Sequence, residues 1–230
     1  VLVKVLCGDG FREREEAAVA ILQIARISVA NMEAIVTVHV DSDDGSCGAG
    51  VIAGLVKLLI DSESIRSIET ATIILSMILA SLPQYTSPII RAAAIPPLVH
   101  ALSCSSALAV ERSVDSLFSL MFAKEAVNAD VCLEASKAGI ISSICEILRH
   151  CRPENALDKA AGVLSALAKL PLLYQELVEL GAVPVLTQIL NISIHSITVV
   201  GYGVNALKEL SRDSKTHASL TAGGVTVPLM

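Results

Sequence analysis

Two groups of side chains in the sequence have the chemistry of metal ligands. The carboxylates within 41–44 precede a glycine, as in the first half of a calcium-binding loop, but no distal acidic ligand follows them. Cys145, His150 and Cys151 are soft ligands, yet they lack a second pair, and the flanking arginines oppose a cation. We therefore predict no metal site, and we interpret residues 40–48 as a solvated acidic insertion.

Residues that could perform catalysis show no matching pattern. The five histidines form no i, i+4 pair, so they do not predict a zinc-binding helix. The sequence contains no Gly-x-Ser-x-Gly nucleophile turn, no phosphate-binding loop and no dinucleotide fingerprint. Because catalysis needs groups that converge in a pocket, we predict that this chain is not an enzyme and uses no cofactor or small-molecule substrate.

The charge of the sequence indicates which classes of partner are disfavoured, and its cysteines indicate the cellular compartment. The 230 residues carry a net charge of −6, and their 17 Lys and Arg residues are scattered, which argues against a nucleic-acid-binding protein. The six cysteines form no Cys-x-x-Cys pair, which is typical of reduced thiols. We therefore expect an intracellular, cytoplasmic protein, with the nucleus as an alternative compartment.

The hydrophobicity of the sequence raises the question of membrane insertion. Apolar residues make up 53% of the chain, the mean hydropathy is +0.66, and the stretches 70–90, 92–110 and 180–207 lack formal charge. Proline, glycine or clustered polar residues interrupt each stretch before it provides the roughly 20 apolar residues of a transmembrane helix. We interpret all three stretches as pairs of buried helices and predict no membrane insertion.

Two motifs recur along the chain with the same period. The first is a small residue, an apolar turn and a Leu-rich helix, with anchors at Leu55, Leu98, Ile144, Leu186 and Leu229 that are 43, 46, 42 and 43 residues apart. The second is a pair of small residues within another Leu-rich helix, with anchors at Ile21, Leu75, Leu117, Leu164 and Leu207. The first step of the second series is 54 residues because it contains the acidic insertion. A shared period of this size predicts a repeat architecture.

The residues of each unit predict three helices. Both motifs have apolar residues at i, i+3, i+4 and i+7, and short amphipathic segments such as 128–138, 174–180 and 216–222 precede the first motif. Prolines 96, 97 and 184 fall in the first turn of the second helix, where a missing N–H costs little. Glycines at the end of the short helix are predicted to have positive φ, and they are Gly50, Gly139, Gly181 and Gly224. Such units bury their apolar faces only by stacking on one another.

These motifs resemble those of the armadillo-repeat family. The matching pattern is Gly-Ala-Val-Pro-x-Leu-x-x-x-Leu, followed about twenty residues later by Ala-Ala-x-x-Leu-x-x-Leu-Ala. HEAT repeats are the nearest alternative, and three helices per unit with a Gly-x-x-Pro turn favour armadillo. The resemblance implies an all-α, right-handed solenoid that forms a single domain over 1–230. Its units are predicted at 1–39 (partial), 49–92, 93–138, 139–180, 181–222 and 223–230 (truncated).

The resemblance also implies a binding surface, because the third helices of armadillo repeats line a concave groove that holds an extended partner segment. It places two rows of residues there: Val19, Ile73, Asp115, Gly162 and Asn205, and then Gln23, Met77, Ser119, Ala166 and Glu209. In nuclear-import adaptors of the family the first row is usually Trp and the second Asn. This chain has neither row and contains no Trp, which counts against an import receptor.

We therefore predict a non-catalytic scaffold that binds a protein or an extended peptide along its third helices. The Ala-rich, Trp-poor repeats are similar to the substrate-recognition region of plant-type U-box ubiquitin ligases. The alternatives are a cytoskeleton- or vacuole-associated armadillo scaffold and a nuclear-import adaptor.

Overall fold

The described part of the chain is built of helices. The computed structural model describes residues 1–38, 50–61, 64–122, 126–150, 156–191 and 196–222, and every regular element within these ranges is a helix. The predicted acidic insertion and the truncated unit at 223–230 lie outside the described residues.

Two compact units divide the chain, Val1–Leu120 and Met121–Met230. The helices of the first unit are α1 (Leu2–Leu6), α2 (Phe11–Ala25), α3 (Val29–Val36), α4 (Val51–Ile60), α5 (Ile65–Ser81), α6 (Thr86–Arg91), α7 (Ile95–Ala101) and α8 (Ala107–Met121), whose last residue falls at the boundary. Those of the second unit are α9 (Ala129–Lys137), α10 (Ile140–His150), α11 (Leu157–Leu167), α12 (Tyr174–Glu179), α13 (Ala182–Asn191), α14 (Ile197–Leu210) and α15 (His217–Ala222).

The helices follow one another in threes. The triplets α3–α4–α5, α6–α7–α8 and α12–α13–α14 each end in their longest helix, whereas α10 and α11 have 11 residues each. We call α2, α5, α8, α11 and α14 the third helices. The short segments predicted ahead of the first motif correspond to α9, α12 and α15.

The anchors of both motifs lie in the core. Every anchor within the described residues is buried, and none exceeds 6% exposure. At about 25 cal/mol per Å² of apolar surface, each such side chain contributes roughly 1.5–3 kcal/mol when it leaves water. The periodic Leu and Ile residues therefore explain why neighbouring helices stack.

No single helix in the described ranges is long and apolar enough to cross a membrane. Two pairs reach that length and composition only together, and both are sharply bent: Ile65–Ser81 with Pro83–Arg91 at 115°, and Leu157–Leu167 with Pro171–Glu179 at 103°.

The turn between the short helix and the second helix has left-handed backbone in three of the repeats. Gly139 and Gly181 have φ of +87° and +81°, as predicted, and Ala93 has φ of +54° at the same place in its unit. The prediction was wrong for Gly50, whose φ of −92° and ψ of 179° make it an extended residue at the start of α4. Gly224 lies outside the described residues.

Ala93 gives a test of this backbone strain. We expect Ala93→Gly to raise the free energy of unfolding by about 0.5–1 kcal/mol, because a Cβ is unfavourable in left-handed backbone. Gly139→Ala should lower it by about 1–2 kcal/mol for the same reason. Urea denaturation of both variants measures the two effects, and a destabilised Ala93→Gly variant would contradict the explanation.

Candidate partner-binding face

Serine residues at the start of α5, α8 and α14 connect each of these three helices to the preceding third helix of the same compact unit. Ser64 precedes α5, where its Oγ accepts the N–H of Ser67 at 3.0 Å and donates to Glu15 of α2 at 2.9 Å. The same arrangement joins α8 to α5 and α14 to α11, through Ser106 with Glu69 and Ser196 with Asp158. One hydroxyl therefore caps a helix and also fixes its position against its neighbour.

The sequence analysis missed these contacts, although their signal is present in the sequence. Each acceptor carboxylate lies six residues before the anchor of its helix, and each serine lies eleven residues before the anchor of the next helix. The serine and the carboxylate of a pair are 37 to 49 residues apart. A search for contacts within a single repeat therefore does not reveal these pairs.

The third helices of the first unit carry six of the ten predicted groove residues. Positions four residues apart lie on one face of a helix, so α2, α5 and α8 each present one pair. The pairs are Val19 with Gln23, Ile73 with Met77, and Asp115 with Ser119. Gln23 is exposed, Ile73 retains 9% of its surface, and the other four are half-buried. We call these six residues the third-helix face.

The third-helix face combines an apolar centre with polar ends. Val19, Ile73 and Met77 form the aliphatic part, on α2 and α5. At the α8 end, Asp115 Oδ2 accepts from Arg112 Nη1 at 3.3 Å, so this carboxylate is already paired. At the α2 end, the Gln23 amide has no hydrogen-bond partner among the described residues. Such a surface can hold an apolar side chain and can bond to a peptide backbone through the Gln23 amide.

The second unit places its four predicted residues differently. Asn205 is exposed on α14, and Glu209 pairs with Arg212 while keeping 18% of its side chain exposed. Gly162 and Ala166 are buried, and Ala166 has no exposed surface. They belong to a continuous buried stretch, since every residue of α11 from Ala160 to Leu167 is buried, and α11 packs against both α10 and α14. As placed, Gly162 and Ala166 offer no surface to a partner.

The candidate metal ligands are not brought together within the described residues. Cys145 is buried in the core of α10, whereas His150 is exposed and its Nε2 lies 2.8 Å from Glu146 Oε1. Across the ranges that the structure covers, no three His, Cys, Asp or Glu side chains are grouped to hold a metal ion. Cys151 and the carboxylates within 41–44 lie outside those ranges.

Among the described residues, two buried thiols have the most strongly raised pKa values. Burial raises the pKa of Cys132 from 9.0 to about 12 and that of Cys145 to about 11. The cause is the loss of solvent around the charged thiolate, which is the nucleophilic form. At neutral pH both side chains are therefore neutral, unreactive packing groups.

The raised pKa values of Cys132 and Cys145 predict that the stability of the protein depends on pH. The unfolded thiols ionise near pH 9.0, whereas the folded thiols keep their protons up to about pH 11–12. The stability due to these protonated thiols is complete below pH 9.0 and is lost as the pH rises through the folded pKa values. Urea midpoints measured on both sides of pH 9.0 should fall on the alkaline side, and Cys132→Ala should reduce that fall.

Alkylation gives an independent check on these thiols. In a variant whose other four cysteines are serine, iodoacetamide at neutral pH should modify Cys132 and Cys145 only after denaturation. Rapid modification of the native protein would contradict the burial that raises their pKa.

The sequence matches no protein-family model and no curated protein. Solved structures resemble it over 97% of its length. One of them is a crystal structure of computationally designed armadillo repeat proteins for modular peptide recognition. It matches with a TM-score of 0.75 at 22% sequence identity, and 87% of its chain is covered. A designed armadillo repeat protein in complex with the peptide (KR)4 has a TM-score of 0.70 at 22% identity, with 86% covered.

A second designed armadillo repeat protein has a TM-score of 0.71 at 23% identity, and 87% of that chain is covered. At these identities the likeness concerns the fold. Together with the helical triplets and the buried anchors, it shows that the chain has an all-α solenoid fold of the armadillo type.

Proposed function

We propose that the chain is a non-catalytic scaffold that binds an extended peptide segment along the third-helix face of its first unit. The observation that carries this proposal is the alignment of Val19, Gln23, Ile73, Met77, Asp115 and Ser119 on three helices that two Ser–Glu contacts hold in register. Designed proteins of similar fold are described as made for modular peptide recognition, which supports the same use of the fold here.

The chemistry of the third-helix face fits a peptide held by its backbone and by apolar side chains. The Gln23 amide can donate one hydrogen bond and accept another, which suits a peptide group. The flexible thioether of Met77 lets the aliphatic centre adapt to different side chains. In the second unit, Asn205 offers another exposed amide. The net charge of −6 disfavours an acidic partner.

Selection of peptides from a random library on the purified chain tests this proposal. We expect enriched peptides whose affinity falls at least about tenfold in Met77→Asp, because a carboxylate in the apolar centre must be desolvated on binding. Gln23→Ala should weaken the same peptides less. Ile60→Asp is the matched control, since this residue is 66% exposed at the end of α4 and is not part of the third-helix face.

Each outcome of this selection either supports or contradicts the proposed site and function. Loss of binding in Met77→Asp with retention in Ile60→Asp supports the third-helix face as the site. Peptides that bind Met77→Asp and the unchanged chain equally well would place the site elsewhere, and a failure to enrich any peptide would contradict the function itself.

The class of the parent protein is a finer proposal that rests on the sequence resemblance. The Ala-rich, Trp-poor third helices support the substrate-recognition region of a U-box-type ubiquitin ligase, acting inside the cell. Sequencing the transcript upstream of the Val1 codon tests it, since a U-box there supports this assignment. A basic import arm would instead favour the nuclear-import alternative, and neither would favour a cytoskeletal or vacuolar scaffold.

A further inference from the structure

In α2 and α5, the charged side chains beside the third-helix face lie mostly in the first half of each helix. Arg66 Nη1 donates to Glu16 Oε1 at 2.9 Å, and both side chains are more than half exposed. Glu15 and Glu69 lie in the same part of these helices, where they accept hydrogen bonds from serines. At this edge of the face, cations are therefore matched by carboxylates.

The ends of α2 and α5 carry a different charge. Arg26 is the C-cap of α2, and it is exposed and has no ion-pair partner among the described residues. In α5 no charged residue follows Glu69. Ala80 has the place of Arg26 in α5, because each lies five residues after the anchor of its helix. This edge of α2 and α5 therefore has one cation and no carboxylate.

The exposure of Arg26 belongs to its position in the repeat. Ala80, Lys169 and Arg212 lie five residues after the anchors of α5, α11 and α14, and all three are exposed, while Phe122 at the end of α8 is half-buried. α5 packs against α2 and α4, and α11 packs against α10 and α14, so a missing neighbour does not explain this exposure. The open edge is thus a regular feature of the third helices.

We propose that Arg26 makes the third-helix face select peptides that carry a carboxylate next to an apolar side chain. This inference rests on the proposed function. Gln23 lies three residues before Arg26, so the amide and the guanidinium share one face of α2. A peptide that bonds to the Gln23 amide and places an apolar side chain against Met77 has a neighbouring group within reach of Arg26. A guanidinium binds a carboxylate through two parallel hydrogen bonds, whether the carboxylate belongs to Asp, to Glu or to the C-terminus of the peptide.

The acidic character of the chain does not cancel this local charge. Val1–Leu120 contains eight Lys and Arg residues and thirteen Asp and Glu residues, so this unit repels a partner that is acidic along its whole length. Glu16 is the last carboxylate of α2 and lies ten residues before Arg26, or about 15 Å along the helix. At physiological ionic strength, salt screens exposed charges beyond about 8 Å. A single carboxylate at Arg26 is therefore attracted, whereas a run of carboxylates is not.

Binding of the peptides selected on the purified chain tests this role of Arg26. We expect these peptides to contain a carboxylate, and we expect Arg26→Glu to weaken their binding about fivefold or more. Replacing the acidic residue of a peptide by lysine should restore its affinity for Arg26→Glu, because the ion pair is then reversed. Arg12→Glu is the matched control, since Arg12 is also an exposed arginine of α2 but lies beside Glu13 and Glu16. It should change the affinity less than about twofold.

Two changes to the peptide identify the source of the carboxylate. Loss of affinity when the acidic residue is replaced by its amide assigns the carboxylate to a side chain, and loss on C-terminal amidation assigns it to the terminus. Selected peptides that bind Arg26→Glu and the unchanged chain equally well would overturn the inference about Arg26 and leave the proposed function standing. An equal loss in Arg12→Glu would do the same, whereas a failure to enrich any peptide contradicts both. Circular dichroism checks that both variants of the chain stay folded.

Discussion

Replacing Asp61 by alanine is expected to lower the free energy of unfolding by about 3 kcal/mol. The reason is Arg14 of α2, which retains only 3% of its surface and pairs with Asp61 at the end of α4. Its Nη1 donates to Asp61 Oδ2 at 2.8 Å, and its Nε is buried without a partner among the described residues. Without Asp61, a buried cation loses its counter-charge, which typically costs about 3–5 kcal/mol. We expect the lower end of that range because the Asp61 side chain is 42% exposed.

Replacing Arg14, the other member of the ion pair, should lower the free energy of unfolding much less. Arg14→Met removes the buried charge and keeps an unbranched apolar side chain against the Phe11 ring, which lies 5.9 Å from the guanidinium carbon. The released Asp61 can be hydrated at the surface. We therefore expect a loss of less than about 1.5 kcal/mol for Arg14→Met, and no further loss when Asp61→Ala is added to it.

Urea denaturation of the three variants measures this asymmetry. If Arg14→Met were as unstable as Asp61→Ala, the ion pair would itself be the stabilising element and the explanation by an unpaired buried charge would be wrong. Asp9→Ala provides a control, because Asp9 also pairs with a cation of α4, Lys57 at 3.0 Å, but is fully exposed. Exposed pairs of this kind contribute little to stability because solvent screens the two charges, so Asp9→Ala should leave the urea midpoint nearly unchanged.

Much of the fold could be predicted because one period governs most of the chain. The anchors recur because each unit has to bury the same faces against its neighbours, so the helices and the core follow from the apolar pattern. The armadillo-type fold and the positive φ of Gly139 and Gly181 were correctly predicted in this way.

The structure differs from the sequence prediction where contacts between helices of different repeats determine a residue's environment. The Arg14 ion pair joins residues 47 positions apart, and no helical periodicity connects them. Gly162 and Ala166 have the spacing of groove residues, yet they lie within a stretch of α11 that is buried from Ala160 to Leu167. Gly50 was predicted as the end of a short helix, but it is the extended residue that starts α4. For Gly50 the local prediction itself was wrong, whereas the roles of Arg14, Gly162 and Ala166 depend on tertiary neighbours that a single helix does not reveal.

A second large effect is expected at Gly54, in the middle of α4. A Cβ on this residue would lie 2.7 Å from Leu6 Cγ and 3.2 Å from the Leu6 backbone oxygen. Leu6 is fully buried in α1, so neither its side chain nor its backbone can move freely. Overpacking of this kind typically costs about 1–3 kcal/mol, and it outweighs the gain of about 1 kcal/mol from replacing a helical glycine. We therefore expect Gly54→Ala to be destabilising by about 1–2 kcal/mol.

Gly203 of α14 is the matched control, because it is also a buried glycine within a helix. Its added Cβ would meet Leu190 Cδ2 at 3.4 Å, an ordinary contact with the end of a flexible side chain. Gly203→Ala should therefore raise the free energy of unfolding by about 0.5–1 kcal/mol, through helix propensity alone.

The pair of glycine variants distinguishes close packing from backbone propensity, since the two substitutions are chemically identical and their expected signs are opposite. Thermal denaturation of both variants gives those signs directly. A further variant identifies the cause: in a Leu6→Ala background, Gly54→Ala should cost less than in the unchanged chain, because the clashing side-chain atoms are gone. Equal costs in the two backgrounds would show that Leu6 does not set the requirement for glycine. In that case the approach of α1 to α4 would not explain why a helix-breaking residue lies in the centre of α4.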